Sequence, residues 1–265
     1  MGGGGRHAGL AAVLRRRPGH PRARRARGAA PVSATLRRGG IIAAGDGSRL
    51  RAAGYAVPKA LVPVGGVPLI ERVIGNFAAA GIASLVVIVN EHSRACVDWV
   101  RRRFPALDVD FIVRTTRSSL ESFLAVSERL DPGPALISTV DAWCRPADFT
   151  RFVQAAERRL PDASVLAVTP LVADEKPLRA TIDASGRIRR LGEGAGPMVT
   201  AGVYLLSAAA RAAPPPAQLQ RLRDYLGWLV AGQPVYAEIV DTVVDVDRAE
   251  DVALAEALIP EQPEP

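Results

Sequence analysis

The chain has 265 residues, 48% of them hydrophobic, enough to bury one sizeable α/β core. A formal charge of +7 would point to nucleic acid or an anionic membrane, but residues 1–38 hold ten arginines and no Asp, Glu or Lys, which leaves −3 for residues 39–265. The folded part therefore has no excess of positive charge for nucleic acid, no apolar run approaches the ~18 residues of a membrane span, and two cysteines, Cys96 and Cys144, make neither a disulfide framework nor a metal-spacing pattern.

Residues 1–38 are rich in Gly, Ala, Arg and Pro without apolar periodicity, and are expected to be disordered. A solvated tail, a translation start assigned too far upstream, a transit peptide or an RNA-binding arm would each account for them. The stretch Gly9 to Leu14 is too short for a signal-peptide core and is followed, not preceded, by Arg15-Arg16-Arg17, so a cytoplasmic location is expected.

From Gly39 onward short β-branched runs alternate with amphipathic stretches, the pattern of a mostly parallel sheet with helices on both faces. Ile41 to Ala44 reads as a buried strand that ends in the turn Gly45-Asp46-Gly47. Pro68 to Ala80 reads as a helix with Leu69, Val73, Ile74 and Phe77 on one face, stopped by Gly81, and residues 85–89 as the next strand. Further strands are expected at 109–113, 135–140, 164–169, 188–191, 200–206 and 235–244, with helices near 93–103, 118–129, 146–158, 217–231 and 248–258. Asp183-Ala184-Ser185-Gly186 signals a hairpin and a small antiparallel excursion over about 172–192. The expected organisation is an arginine-rich segment 1–38, one domain 39–258 and a frayed tail 259–265.

The chemistry concentrates at Ala43-Ala44-Gly45-Asp46-Gly47-Ser48-Arg49-Leu50, then Pro58-Lys59, then Pro63-Val64-Gly65-Gly66-Val67-Pro68-Leu69-Ile70. Glycines after a strand let main-chain N–H groups approach a polyphosphate, and an arginine on the same loop neutralises charge. Neither a P-loop nor a dinucleotide fingerprint is present. Lysine usage is a second signal. Lys59 and Lys176 are the only two lysines against 32 arginines, and a compact ammonium fits between phosphate oxygens where a planar guanidinium does not. A carboxylate at a strand end, Asp141 after Ala135 to Val140, stands where open α/β sheets bind ligands, and Mg²⁺ prefers such oxygen donors.

Taken together, these blocks resemble the N-terminal signature of the sugar-1-phosphate nucleotidyltransferases, a family with a Rossmann-like fold. The resemblance extends more loosely over residues 39–258. It implies that Ala44, Gly45, Gly47 and Ser48 wrap the NTP phosphates, that Arg49 assists the departing pyrophosphate, and that Lys59 contacts the phosphates at the reacting centre. It also implies Asp141 and Asp245 as Mg²⁺ ligands. Val140-Asp141 replaces the usual Gly-Asp, and Asp247-Arg248-Ala249 stands where the family has a Thr-Pro. Asp247 is expected either to share the metal or to cap the following helix. The segment 115–120, with Thr116 and Ser119, falls at the family's base-recognising position, although Ser118 with Glu121 is also a complete capping box. Gly202 falls on the substrate-side strand, where it would admit the sugar or simply relieve packing. Lys176 would reach the acceptor phosphate, or be an ordinary surface lysine.

The activity implied is transfer of a nucleoside monophosphate from an NTP to a sugar 1-phosphate, with Mg²⁺ and small-molecule partners only. Two other readings are a cytidylyltransferase acting on a non-sugar phosphate such as phosphocholine or inositol phosphate, and a catalytically silent nucleotide-binding subunit. A nucleic-acid-binding module would rest on the arginine head alone. The base, the acceptor and any homo-oligomer are not legible.

Overall fold

A computed structural model of the protein describes Met1, Leu36 and residues 38–82, 84–172 and 176–260, so the expectations for the arginine-rich head and most of the C-terminal tail lie outside the described residues. β1 (Arg38–Ala43) leads through the glycine turn into α1 (Ser48–Ala52), a 3₁₀ turn (Lys59–Leu61), the hairpin β2 (Pro63–Val64) and β3 (Val67–Pro68), and α2 (Leu69–Ala79). Then come β4 (Ser84–Val89), α3 (Arg94–Arg103), β5 (Asp108–Val113), α4 (Ser119–Arg129), β6 (Ala135–Thr139), β7 (Ala142–Cys144) and α5 (Pro146–Glu157). β8 (Ser164–Thr169), β9 (Arg179–Ile182), β10 (Ile188–Leu191), β11 (Met198–Leu206), α6 (Ala208–Ala212), α7 (Leu222–Gly232), β12 (Val235–Ile239), β13 (Val243–Asp245) and α8 (Ala249–Ala257) follow.

The central sheet runs β5-β4-β1-β6-β11-β9-β10, with β8 also on β11 and β12 on β8. Strands β5, β4, β1 and β6 are parallel, as the crossover pattern requires, and so are β8 and β12. The hairpin β9–β10 is antiparallel, its turn closed by the Asp183 carboxylate accepting from the N–H groups of Ser185 and Arg187. β11 runs antiparallel to its neighbours and joins that hairpin to the parallel half.

Strand side chains alternate between two apolar layers. Leu85, Val87 and Val89 pack on the face that carries α2, α3, α5 and α8, while Val86 and Ile88 pack on the face that carries α4 and α7. α2 buries Leu69, Val73, Ile74 and Phe77 as its periodicity predicts. The α/β architecture with helices on both faces is as expected. Leu36 and Ile259, just outside the expected domain span, also pack on the first layer.

Two boundaries differ. The strand expected over 235–244 is two: the chain leaves the sheet edge after Val240, whose N–H still bonds to Val168, and returns as β13 on β7. The helix expected from 217 begins at Leu222, because a turn closed by Leu219 N–H to Pro216 O intervenes and Arg221, at the N-cap position, is extended.

Candidate active site

Register brings the chemistry together. β1 pairs with β6 so that Ile42 faces Thr139, and Val140 N–H donates to Ile42 O at 3.0 Å, which places Asp141 beside the glycine turn at the carboxyl ends of the parallel strands. On the other side β13 lies antiparallel to β7 with Asp245 opposite Ala142, and Val246 N–H donates to Asp141 O at 3.0 Å. Asp141 therefore sits where two ladders meet. One carboxylate oxygen each from Asp141, Asp245 and Asp247 lie within 4.8 Å of one another.

Lys59 lies at the start of the 3₁₀ turn with only 7% of its surface exposed, and its ammonium stands among these carboxylates, 2.7 Å from Asp141 Oδ2 and in contact with Asp247. Burial alone would lower its pKa. The charges of Asp141, Asp247 and Asp245 more than offset that and hold it above the usual lysine range. Burial would likewise raise the Asp141 carboxyl, but the Lys59 ammonium and the Thr139 hydroxyl keep it below the ordinary carboxylate value. Arg49 Nη1 donates to Asp247 Oδ2 at 3.0 Å. Three carboxylates thus face two cations around one point. An all-oxygen donor set already arranged about a positive charge fits a hard divalent ion such as Mg²⁺.

The glycine turn is built to match. Gly47 has φ +60, and a Cβ there would lie 2.7 Å from Lys59 Cβ, so glycine lets the turn rest directly on the lysine. Gly45 faces open space, Ala44 is buried, and Ser48 and Arg49 begin α1 with exposed side chains. Asp46 is fixed at both ends: Asn90 Nδ2 donates to its carboxylate at 3.1 Å and Arg51 Nη2 to its carbonyl at 2.7 Å. Asn90 is buried and its oxygen also accepts from His92 N–H and the Thr115 hydroxyl, which links the ends of β1, β4 and β5.

A cavity of about 290 Å³ opens beside the carboxylates. Asp141, Asp245, Tyr204, Arg221 and Arg223 are among the residues that line it. Gly202 lines it with φ +70, and a Cβ there would meet Thr139 Oγ1 at 2.6 Å and Ala142 Cβ at 2.7 Å. Glycine there permits close packing against the strand end that carries Asp141. Gly202→Ala is expected to destabilise the protein by about 1–3 kcal/mol through overpacking and backbone strain. Urea denaturation checks this; an unchanged midpoint would contradict the packing account.

Of the remaining expected residues, Asp247 joins the cluster and Ser119 lines the cavity, whereas Thr116 and Lys176 are not among the residues that line it. Asp247 does not cap α8: Arg248 holds the N-cap position, and the Asp251 carboxylate accepts from the N–H groups of Asp247 and Arg248 at 2.9 and 2.8 Å. Asp247 instead turns its carboxylate to Lys59 and Arg49, so the capping expectation is corrected. Ser118 caps α4, accepting from Glu121 N–H at 3.2 Å. The Thr116 hydroxyl meets that of Ser122 at 2.6 Å, and Ser119 Oγ accepts from Leu222 N–H at 3.0 Å. Lys176 is exposed, and its carbonyl accepts from Arg223 Nη2 at 2.6 Å. Sequence reasoning missed Asn90 and Arg223. Asn90 had a usable signal, a polar residue closing the buried run 85–89; Arg223 had none among 32 arginines.

Among the described residues no helix is long and apolar enough to cross a membrane. The MobA-like NTP transferase domain profile matches residues 39–221, a stretch that contains the glycine turn, Lys59 and Asp141 and stops short of Asp245 and Asp247. The chain is 29% identical over 182 residues to CMP-5'-(3-aminopropyl)phosphonate synthase from Streptomyces rubellomurinus, covering 63% of this chain and 27% of that protein. It is 30% identical over 185 residues to glucose-1-phosphate thymidylyltransferase from Actinoplanes sp., covering 64% and 58%. In both cases the chain spans less than two thirds of its relative. Among solved structures, the inositol-1-phosphate CTP transferase from T. maritima shares the fold with a TM-score of 0.73 at 18% identity, covering 87% of this chain and 99% of that one. A putative glucose-1-phosphate thymidylyltransferase from Bacillus anthracis does so with a TM-score of 0.73 at 16% identity, covering 86% and 97%. Since the profile takes in well over half of the sequence, including the turn and the lysine that meet at Asp141, the chain belongs to the MobA-like NTP transferase domain family.

Proposed function

We propose that the protein transfers a nucleotidyl group from an NTP to a phosphate oxygen of a small phosphorylated acceptor, a sugar 1-phosphate, and releases pyrophosphate. The observation that carries this reading is the meeting of Lys59, Arg49 and three carboxylates at the mouth of the glycine turn, with a cavity of about 290 Å³ alongside.

An acceptor phosphate is ionised at neutral pH, so no general base is needed. Its oxygen forms a bond to the α-phosphorus while the bond to the bridging oxygen breaks, and pyrophosphate leaves with the electron pair. In this reading the glycine turn offers main-chain N–H groups to the polyphosphate, and Arg49 neutralises charge on the leaving group. Lys59 stands as a point charge between the phosphates and the carboxylates. A divalent ion held by Asp141, Asp245 and Asp247 would supply charge neutralisation at the transferred phosphate.

A non-sugar acceptor is the second reading, supported by the phosphonate-directed relative and by the inositol-1-phosphate transferase that shares the fold. The silent-subunit reading fits less well, because all three carboxylates are present and clustered. Pyrophosphate detection with Mg²⁺ across four NTPs decides, using glucose 1-phosphate, inositol 1-phosphate, phosphocholine and an aminoalkylphosphonate as acceptors. Release with a sugar 1-phosphate is expected. Release only with another acceptor would transfer the assignment to the second reading, and no release with any pair would overturn both.

A further inference from the structure

Ser119 stands in a segment whose resemblance implies base recognition, yet its hydroxyl is turned towards the other half of the molecule. It is the first residue of α4, and its Oγ accepts from the backbone N–H of Leu222, 103 residues further along the chain and the first residue of α7. The first N–H groups of a helix have no intrahelical acceptor. Arg221, at the N-cap position of α7, makes no side-chain cap, so Ser119 supplies from a neighbouring helix an acceptor that α7 lacks in its own cap.

The bond fixes more than a helix end. Leu222 is flanked by Arg221 and Arg223, and Ser119, Arg221, Leu222 and Arg223 all line the cavity bounded by Asp141 and Asp245. Arg221 is held by both oxygens of Asp224, at 2.7 and 2.8 Å, and Arg223 spends one donor on the Lys176 carbonyl. A guanidinium carries five N–H donors, so each retains donors for a ligand. Where those donors point depends on where the first turn of α7 begins, and the Ser119 hydroxyl anchors that point.

We propose that Ser119 is a positioning residue for the acceptor and not a contact to the base: its hydroxyl docks the start of α7 so that Arg221 and Arg223 face an anionic group in the cavity. This inference rests on the nucleotidyl-transfer reading and on the cavity being the acceptor's half of the site.

The test compares wild type, Ser119→Ala and Ser119→Thr by pyrophosphate release, with NTP and acceptor varied separately. Loss of one hydrogen bond that acts through the arginines is expected to raise the acceptor KM about fivefold in Ser119→Ala, to leave the NTP KM within about twofold, and to be rescued by Ser119→Thr. A rise in the NTP KM with the acceptor KM unchanged would mean that Ser119 touches the nucleotide, and would overturn the inference while the nucleotidyl-transfer reading stands. Hydrogen exchange adds an arm that needs no turnover: Ser119→Ala should speed exchange at residues 222–224 and not at 114–117. Unchanged exchange at Leu222 would refute the anchoring role, whereas a wild type that releases no pyrophosphate would refute the parent reading.

Discussion

Asp141→Ala is expected to lower turnover by about 10³-fold, a barrier increase of about 4 kcal/mol, while the protein keeps its fold. The fold is insulated because the two ladders that meet at residue 141 use only main-chain atoms, Val140 N–H to Ile42 O and Val246 N–H to Asp141 O, and alanine retains both. The carboxylate is 24% exposed, so its truncation opens no sealed void. What disappears is one of three clustered oxygens and a hydrogen-bond partner of the Lys59 ammonium, at the point where charge must be neutralised during transfer. Steady-state pyrophosphate release with a circular-dichroism melt checks both halves. Turnover within tenfold of wild type would remove Asp141 from the reaction, and a collapsed melt would make its role structural.

The second large effect is expected at Lys59. Lys59→Ala should also cost about 10³-fold in turnover, but this variant should be less stable in metal-free buffer, by about 2 kcal/mol or ~4–8 °C in Tm. The ammonium is nearly enclosed, and without it Asp141, Asp245 and Asp247 face each other with Arg49 as the remaining cation on Asp247. The penalty stays modest because the Asp141 and Asp247 side chains, 24% and 38% exposed, can regain water. Added Mg²⁺ should then raise the Tm of Lys59→Ala more than that of wild type, since the ion takes over a neutralising task that lysine otherwise performs. Equal shifts in the two proteins, read by differential scanning fluorimetry with and without EDTA, would show that lysine and metal do not share the position.

Much of this was legible in the sequence. The parallel half of the sheet follows from β-branched runs separated by amphipathic stretches, and α2 kept the face that Leu69, Val73, Ile74 and Phe77 define, because local periodicity and tertiary packing agree there. Lys59 stood out by its rarity and Asp141 by its place at a strand end. The fates of the hydroxyls were not legible. Thr116 and Ser119 sit at the entry to α4, where the composition suits a base contact, a cap or a tertiary bond equally; Thr116 finds Ser122 one turn into α4, whereas the partner of Ser119, Leu222, depends on how α4 meets α7. Asp247 was ambiguous for a similar reason. A carboxylate before a helix is a fair N-cap until β13 fixes its register on β7, and that pairing lies far outside any local window.

The short ladder between β7 and β13 also has a temporal side. Asp141 leaves the ribosome about a hundred residues ahead of Asp245 and Asp247, so a growing polypeptide displays the turn, the lysine and a single acid well before the other two acids exist. Until Val243 to Asp245 pairs with Ala142 to Cys144, there is no trio for a cation to enter, so the cluster is completed only after residue 247 has been made.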